Sequence, residues 1–282
     1  GDIGAVSKLS SLITGDTVSQ RDSQLILPGL QFPEPVYQMA AYPKSSADVD
    51  KITSALARIV EEDPGLRIIR EPDTLEMLLS GLGDTHVDVA VERMKRKFGV
   101  DIELKTPKVP YMETVRASSR VEYRHKKQSG GHGQFAHVWL QIEPLSRGTG
   151  FEFQQKVVGG SVPKEYIPAV EKGATKSLEA GPLNGSPIVD VKVVLYDGSS
   201  HPVDSSGMSF EIAGSYALRK GVEQASPVLL EPVMKLDITV PDSYTGDIIG
   251  DLNTKRARIL GMNPSDGATV IQAEVPQSEV QR

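Results

Sequence analysis

Between residues 36 and 104 two kinds of apolar spacing alternate in a fixed order, and that order narrows the fold more than composition does. Residues 36–42 have the pattern of a short strand. Val49, Ile52, Leu56, Ile59 and Val60 then recur at helical spacing, which puts them on one buried face. Ser46 can cap this helix, and Asp63-Pro64-Gly65 ends it. Residues 66–70 and 75–79 read as a hairpin. After Gly81-Leu82-Gly83-Asp84 comes a second helix. Its Val87, Val91, Met94 and Phe98 face inward, its Glu92, Lys95 and Arg96 face outward, and Gly99 stands at the C-cap. Residues 100–104 add a last strand. Strand, helix, strand, strand, helix, strand, with both helices on one face of an antiparallel sheet, is the ferredoxin-like split βαβ arrangement.

From residue 108 the pattern changes. Strand-like stretches at 114–127, 135–142 and 151–158 surround a glycine-rich turn. A helix is expected over 163–180, with proline at its start and Gly181-Pro182 at its end. Residues 188–196 form the clearest strand of the chain, and 209–224 another amphipathic helix. After Glu231 a strand (233–240), a helix (243–256) and two short strands (258–262, 269–274) repeat the opening of a split βαβ unit, without its second helix and last strand. Residues 1–30 have no clear period, and Pro28-Gly29 and Pro33-Glu34-Pro35 separate them from the strand at 36–42.

Hydrophobic residues at 39% and charged residues at 24% describe a globular chain long enough for several domains. The absence of cysteine excludes disulfides, thiolate metal sites and thiol catalysis. No apolar run approaches the roughly 20 residues of a membrane helix, and Gly1-Asp2-Ile3-Gly4 does not read as a signal peptide. A cytoplasmic setting is expected. The net charge of −6 argues against indiscriminate coating of nucleic acid, yet Arg116, Arg120, Arg124, Lys126 and Lys127 form a local basic stripe broken by Glu122 alone. By itself such a stripe is usually just a solvated strand or face.

The chain has no GxxxxGK[ST] phosphate cradle and no Asn-Lys-x-Asp stretch to read guanine, so no GTP binding is expected from these residues. His125, His132 and His137 straddle one turn without the carboxylate pattern of a metal site. His201, Asp204, Ser205 and Ser206 have the residue types of a hydrolytic triad, but no G-x-S-x-G elbow carries either serine. His86, at a helix start, reads as a packing or capping residue. Gln128-Ser129-Gly130-Gly131-His132-Gly133-Gln134 is the strongest local feature. Its glycines permit close approach to a partner, and its Gln, Ser and His offer uncharged hydrogen-bonding groups above a basic stem of Arg120, Arg124, Lys126 and Lys127. Such a hairpin tip is either an RNA reader or a plain mobile turn.

Residues 128–138 resemble the QSGGRGQYGHV loop of bacterial elongation factor G. Residues 158–173 are similar to that family's GGxVPKEYIPAVEKG, residues 196–206 to YDGSYHxVDSS, 80–86 to SGMGELH and 246–253 to GDVIGDLN. The resemblance implies a multidomain α+β chain, with ferredoxin-like split βαβ units flanking a ribosomal-protein-S5-domain-2-like domain. Residues 1–30 would be a remnant of the β-barrel second domain, 31–107 domain III, 108–230 domain IV and 231–282 a truncated domain V. GTP and magnesium would belong to a G domain absent from this chain, which would itself be no enzyme and hold no cofactor. The implied role is GTP-dependent movement of tRNA and mRNA on the ribosome, by a monomer that touches rRNA of both subunits and mimics a tRNA anticodon arm in the decoding centre. Its contacting tip would be Gln128, Ser129, Gly130, Gly131, His132 and His201, with the loop around His201 beside the first. His132, Phe135 and Ala136 depart from the family's Arg, Tyr and Gly, and Ser200, Pro202 and Gly207 from its Tyr, Glu and Glu. A paralogue in recycling, ribosome protection or regulation, a stand-alone RNA-binding module and a hydrolase using His201 are the alternatives.

Overall fold

In the computed structural model, which describes residues 2–7, 12–128 and 133–281, the chain divides into two units, residues 1–109 and 110–282. In the first, strand β1 (Tyr37–Pro43) leads through a 3-10 turn (Ser46–Asp48) into α1 (Val49–Glu62). A hairpin of β2 (Arg67–Arg70) and β3 (Met77–Gly81), helix α2 (Asp84–Phe98) and β4 (Ile102–Lys105) come next. The sheet order is β2-β3-β1-β4 and its pairings are antiparallel, which is the ferredoxin-like topology. Ile52, Leu56 and Ile59 of α1 and Val87, Ala90 and Met94 of α2 close over Leu79 and Ile102 in one core.

Two local details differ from the sequence reading. Ser46 does not cap α1; it begins the 3-10 turn, and the Ser45 hydroxyl donates to Asp48 Oδ2 at 2.8 Å instead. Val49, expected on the buried face, is 52% exposed because it stands at the end of that turn, before the helix has settled onto the sheet. Gly99 does end α2 in the left-handed region, φ 64°, with its N–H on Lys95 O. His86 closes the start of the same helix: its Nδ1 accepts from Leu82 N–H at 3.1 Å and its Nε2 meets Asp63 Oδ2 at 3.0 Å. Partial burial pushes Asp63 upward, but the His86 bond and the Gly65 N–H outweigh it and hold the carboxyl below its ordinary range.

The second unit holds three sheets. β5 (Met112–Val115) and β6 (Ser119–Lys127) lie where the sequence reading expects one strand over 114–127. The break comes at Arg116 and Ala117, whose N–H groups turn aside to Ala225 O. β6, β7 (Gln134–Pro144), β8 (Phe151–Gln155) and β9 (Val191–Ser199) form a sheet in the order β6-β7-β9-β8, with only β8 and β9 parallel. Between β8 and β9 runs α3 (Ile167–Ser177), preceded by a 3-10 turn at Lys164–Tyr166. It is shorter than the expected 163–180, since residues 178–180 already belong to the turn before Gly181. After β9 comes α4 (Gly207–Gln224), and then β10 (Pro227–Leu230), which pairs with β5 in a two-stranded sheet.

Helices α3 and α4 cover one face of the four-stranded sheet and bury Val121, Val138, Leu140, Ile142, Val193 and Leu195 beneath Val170, Phe210, Ala213 and Leu218. They approach so closely that a Cβ on Gly173 would sit 2.0 Å from Glu211 O, and one on Gly214 2.6 Å from Val170 O. Only glycine permits that spacing.

The chain ends in β11 (Val233–Pro241), α5 (Thr245–Thr254), β12 (Arg258–Ser265), β13 (Ala268–Pro276) and a short α6 (Gln277–Val280). Their sheet order, β11-β13-β12, repeats the arrangement of β1, β3 and β2. Among the described residues no helix is long and apolar enough to cross a membrane.

Candidate nucleic-acid interface

Antiparallel register decides what lies at each end of the four-stranded sheet. Lys127 pairs with Gln134, so residues 128–133 connect β6 to β7, and His137 pairs with Ser199, so β9 ends beside the start of β7. The loop over 200–206 therefore emerges next to the β6–β7 connection. Among the described residues four contacts join them. Phe135 N–H donates to Asp204 O at 2.8 Å, Gly133 N–H donates to Asp204 Oδ1 at 3.0 Å, and the Ser205 hydroxyl donates to Phe135 O at 2.8 Å. The Phe135 and His201 rings stand 6.1 Å apart.

The second loop is held from behind as well. Ser206 caps α4 by accepting from Ser209 N–H at 3.2 Å, as an N-cap serine does. His201 N–H donates to Ser205 Oγ at 2.8 Å. The imidazole Nδ1 accepts from the N–H groups of Val203 (3.3 Å) and Asp204 (3.1 Å). That occupies Nδ1 as an acceptor, so the Asp204 carboxylate at 3.5 Å is a neighbour and not its hydrogen-bond acceptor. Nε2 is left to carry the hydrogen on a side chain that is half exposed.

This geometry leaves no triad. Ser205 Oγ is spent between Phe135 O and His201 N–H, and Ser206 Oγ on the helix cap; neither touches the imidazole.

Alternation along β6 turns Arg120, Glu122, Arg124 and Lys126 to the exposed side, and Lys127 is exposed at its end. Among the described residues Arg120, Arg124, Lys126 and Lys127 have no carboxylate within ion-pair distance. Arg124 lies over the Phe135 ring at 5.2 Å, and Arg120 over Tyr196 at 6.0 Å while donating to Gln141 Oε1 at 2.8 Å. Glu122, the acid in this row, meets His137 Nε2 at 3.1 Å. His125 pairs with Gln134 at 2.9 Å.

Of the sequence-designated tip, Gln128 is exposed at the end of β6 and His201 lies in the adjoining loop. Ser129, Gly130, Gly131 and His132 lie outside the described residues. Phe135, Asp204 and Ser205, which latch the loops together, are not marked for that role by the sequence. Their only signal there is membership of the motif stretches 128–138 and 196–206; the contacts themselves span about 70 residues.

Three family profiles match in succession: "Elongation Factor G, domain III" over residues 32–106, "Elongation factor G, domain IV" over 107–226 and "Elongation factor G C-terminus" over 228–282. Among solved structures, the crystal structure of a protein from Thermus thermophilus is similar to this chain, with 40% identity and a TM-score of 0.76. The likeness covers 90% of this chain and 38% of that one, so the chain spans well under half the length of that relative. With three consecutive profiles of a single family covering nearly all of it, the chain belongs to the elongation factor G family of translation factors and carries that family's domain III, domain IV and C-terminus.

Proposed function

We propose that this chain is the ribosome-facing part of a translocase-type GTPase, with domain IV reaching toward tRNA and mRNA in the decoding centre as an anticodon arm would. The observation that carries the reading is the latch between Phe135 and Asp204. It presents a hydrogen-bonding pair of loops at one end of a sheet whose edge strand holds four cations with no carboxylate partner among the described residues. The cations supply phosphate affinity and the tip supplies short-range hydrogen bonds, a division of labour suited to RNA. Nucleotide binding belongs to a G domain elsewhere in the factor, because the sequence has neither a phosphate cradle nor a guanine-reading stretch. The factor acts as a monomer in the cytoplasm, on rRNA of both subunits.

The test uses the full-length factor on purified ribosomes. His201→Ala and Gln128→Ala should slow tRNA movement by at least about 10-fold, the loss of one or two RNA hydrogen bonds, and leave most ribosome-stimulated GTP hydrolysis. Equal loss of both activities overturns the reading. Ser200, Pro202 and Gly207, where the family carries bulkier or acidic residues, favour a paralogous role as the second reading; full hydrolysis without tRNA movement in the unaltered factor would support it.

A further inference from the structure

The four-stranded sheet has a second face, opposite the one that α3 and α4 cover, and its composition is unlike a merely solvated surface. Alternation places Phe135, His137 and Trp139 of β7 there, opposite Lys126, Arg124 and Glu122 of β6. Tyr196 joins them through a bulge, where β7 and β9 shift register between Trp139 and Leu140. Two ring contacts link three of them. His137 and Trp139 stand 5.8 Å apart at 44°, and Trp139 and Tyr196 6.3 Å apart at 59°. They are tilted against one another, so neither contact lays a flat face on the indole.

Acids and cations share this face. The acids are each held by a group within the protein: Glu122 by His137, Glu143 by Gln141, Asp197 by Gly198 N–H at 2.8 Å, and Glu152 of β8 by Lys192 at 3.0 Å. Arg120, Arg124 and Lys126 have no carboxylate partner among the described residues. Two of them lie over rings, where a guanidinium extends the stacking surface and still offers N–H groups outward.

We infer that this sheet face, centred on Trp139 and bordered by Arg120, Arg124 and Lys126, is a binding platform for an unpaired RNA strand. Phosphates lie along the β6 cations and one or two bases stack on Trp139 and its neighbours. A duplex cannot use the site in this way, since its base faces are already stacked on one another. The platform rests on the RNA-contacting reading of the domain and shares the β6 cations with it; what sets it apart from the tip is Trp139, on the flat of the sheet, and neither Gln128 nor His201 belongs to it.

Trp139 is the chain's one tryptophan, so its emission reports this face and no other. The experiment titrates the 282-residue chain with oligouridylate about 12 nucleotides long, within the usual footprint of single-strand sites, and with an RNA duplex of equal length. Single strands should quench Trp139 saturably and the duplex should not. With 5′-labelled RNA followed by anisotropy, Trp139→Leu should weaken binding about 10-fold and Trp139→Phe should restore most of it. Arg120→Gln with Arg124→Gln, both at exposed positions, should weaken binding and flatten its salt dependence by about two phosphate contacts; circular dichroism checks that each variant keeps its sheet. RNA binding that leaves Trp139 emission flat, is unchanged by Trp139→Leu and falls with Gln128→Ala and His201→Ala would overturn the platform and leave the tip reading intact. Equal quenching by duplex, or quenching caused by self-association of the chain, would also overturn it. No binding of either RNA would overturn both.

Discussion

Phe135 and Asp204 are joined across about 70 positions of chain, with Phe135 N–H on Asp204 O at 2.8 Å and the Asp204 carboxylate on a neighbouring turn residue, Gly133. A single aspartate thus sets the spacing of the two loops. Asp204→Ala should leave Gly133 N–H without its acceptor at a cost of about 1 kcal/mol, felt locally. The expected result is amide exchange at Gly133 faster by about 5-fold, with the urea midpoint of the whole chain unchanged. Asp204→Asn keeps the accepting oxygen and should exchange as the wild type does. Exchange at Gly133 unaltered in the alanine variant would show that the loops are held by the backbone bond alone.

The close packing of α3 on α4 is a second point of leverage. Gly173→Ala adds a methyl carbon 2.0 Å from Glu211 O, a backbone atom that cannot swing away. The helices must part, and Ser177 Oγ and Ser215 Oγ, now 2.5 Å apart, must separate with them. Overpacking of this kind costs about 1–3 kcal/mol, partly offset by the better helix propensity of alanine. A net loss of at least about 1 kcal/mol in urea unfolding is expected; a variant as stable as the wild type would mean the helices slide without cost.

Much of this is legible in the sequence because it is local. The helical stripe of Ile52, Leu56 and Ile59 and the glycine after Phe98 announce their elements by spacing alone, and the motif stretches around Gln128 and His201 carry the family. Pairing at a distance is what spacing cannot show. β10 escapes a sequence reading because Pro227-Val228-Leu229-Leu230 has no alternation of its own and becomes a strand only against Met112–Val115. The strand expected from residue 188 begins at Val191, since Asp190 takes φ 58°, a turn conformation no periodicity reveals. At the site, Gly133 reads as loop composition and Phe135 as the start of a strand; their bonds to Asp204 exist only once β7 and β9 are side by side.

Tyr42 gives a prediction in pH. Its hydroxyl donates to Glu76, whose other oxygen accepts from Lys108 N–H at 2.8 Å. The hydrogen bond to Glu76, then burial, then the charge of that carboxylate push the phenol up to about 12. The unfolded chain releases this proton near the ordinary value of about 10, so the folded state holds it more tightly. Stability from the pair is therefore full below about pH 10 and is lost as pH rises toward 12. Tyr42→Phe should lower stability by about 1–2 kcal/mol at pH 8, leaving Glu76 Oε1 without its donor. The gap between variant and wild type should close over that alkaline window. A gap that stays constant through it would assign the loss to packing and not to the hydrogen bond.

Glu113 is the most deeply committed charge among the described residues, fully buried in the turn that comes after α3. Oε2 accepts from Leu183 N–H at 3.0 Å, and Oε1 from Asn184 N–H at 3.0 Å and Ser186 N–H at 3.3 Å, so the carboxylate takes the place of a backbone partner for the whole turn. Glu113→Gln puts an amide NH2 where one of those donors points and should cost about 1–3 kcal/mol; Glu113→Ala orphans the Leu183 and Asn184 N–H groups, Ser186 N–H keeping Asn184 Oδ1 at 3.0 Å, and leaves a void, and should cost more. Gly181 belongs to the same arrangement, because a Cβ there would fall 2.2 Å from Oε2. Gly181→Ala alone should therefore be as harmful as removing the carboxylate. In the double variant the new methyl occupies space that Glu113→Ala has emptied, and the combined loss should fall short of the sum of the two by about 1 kcal/mol or more in a double-mutant cycle. Strict additivity would mean that the glycine is required for the backbone of the turn and not to admit the carboxylate.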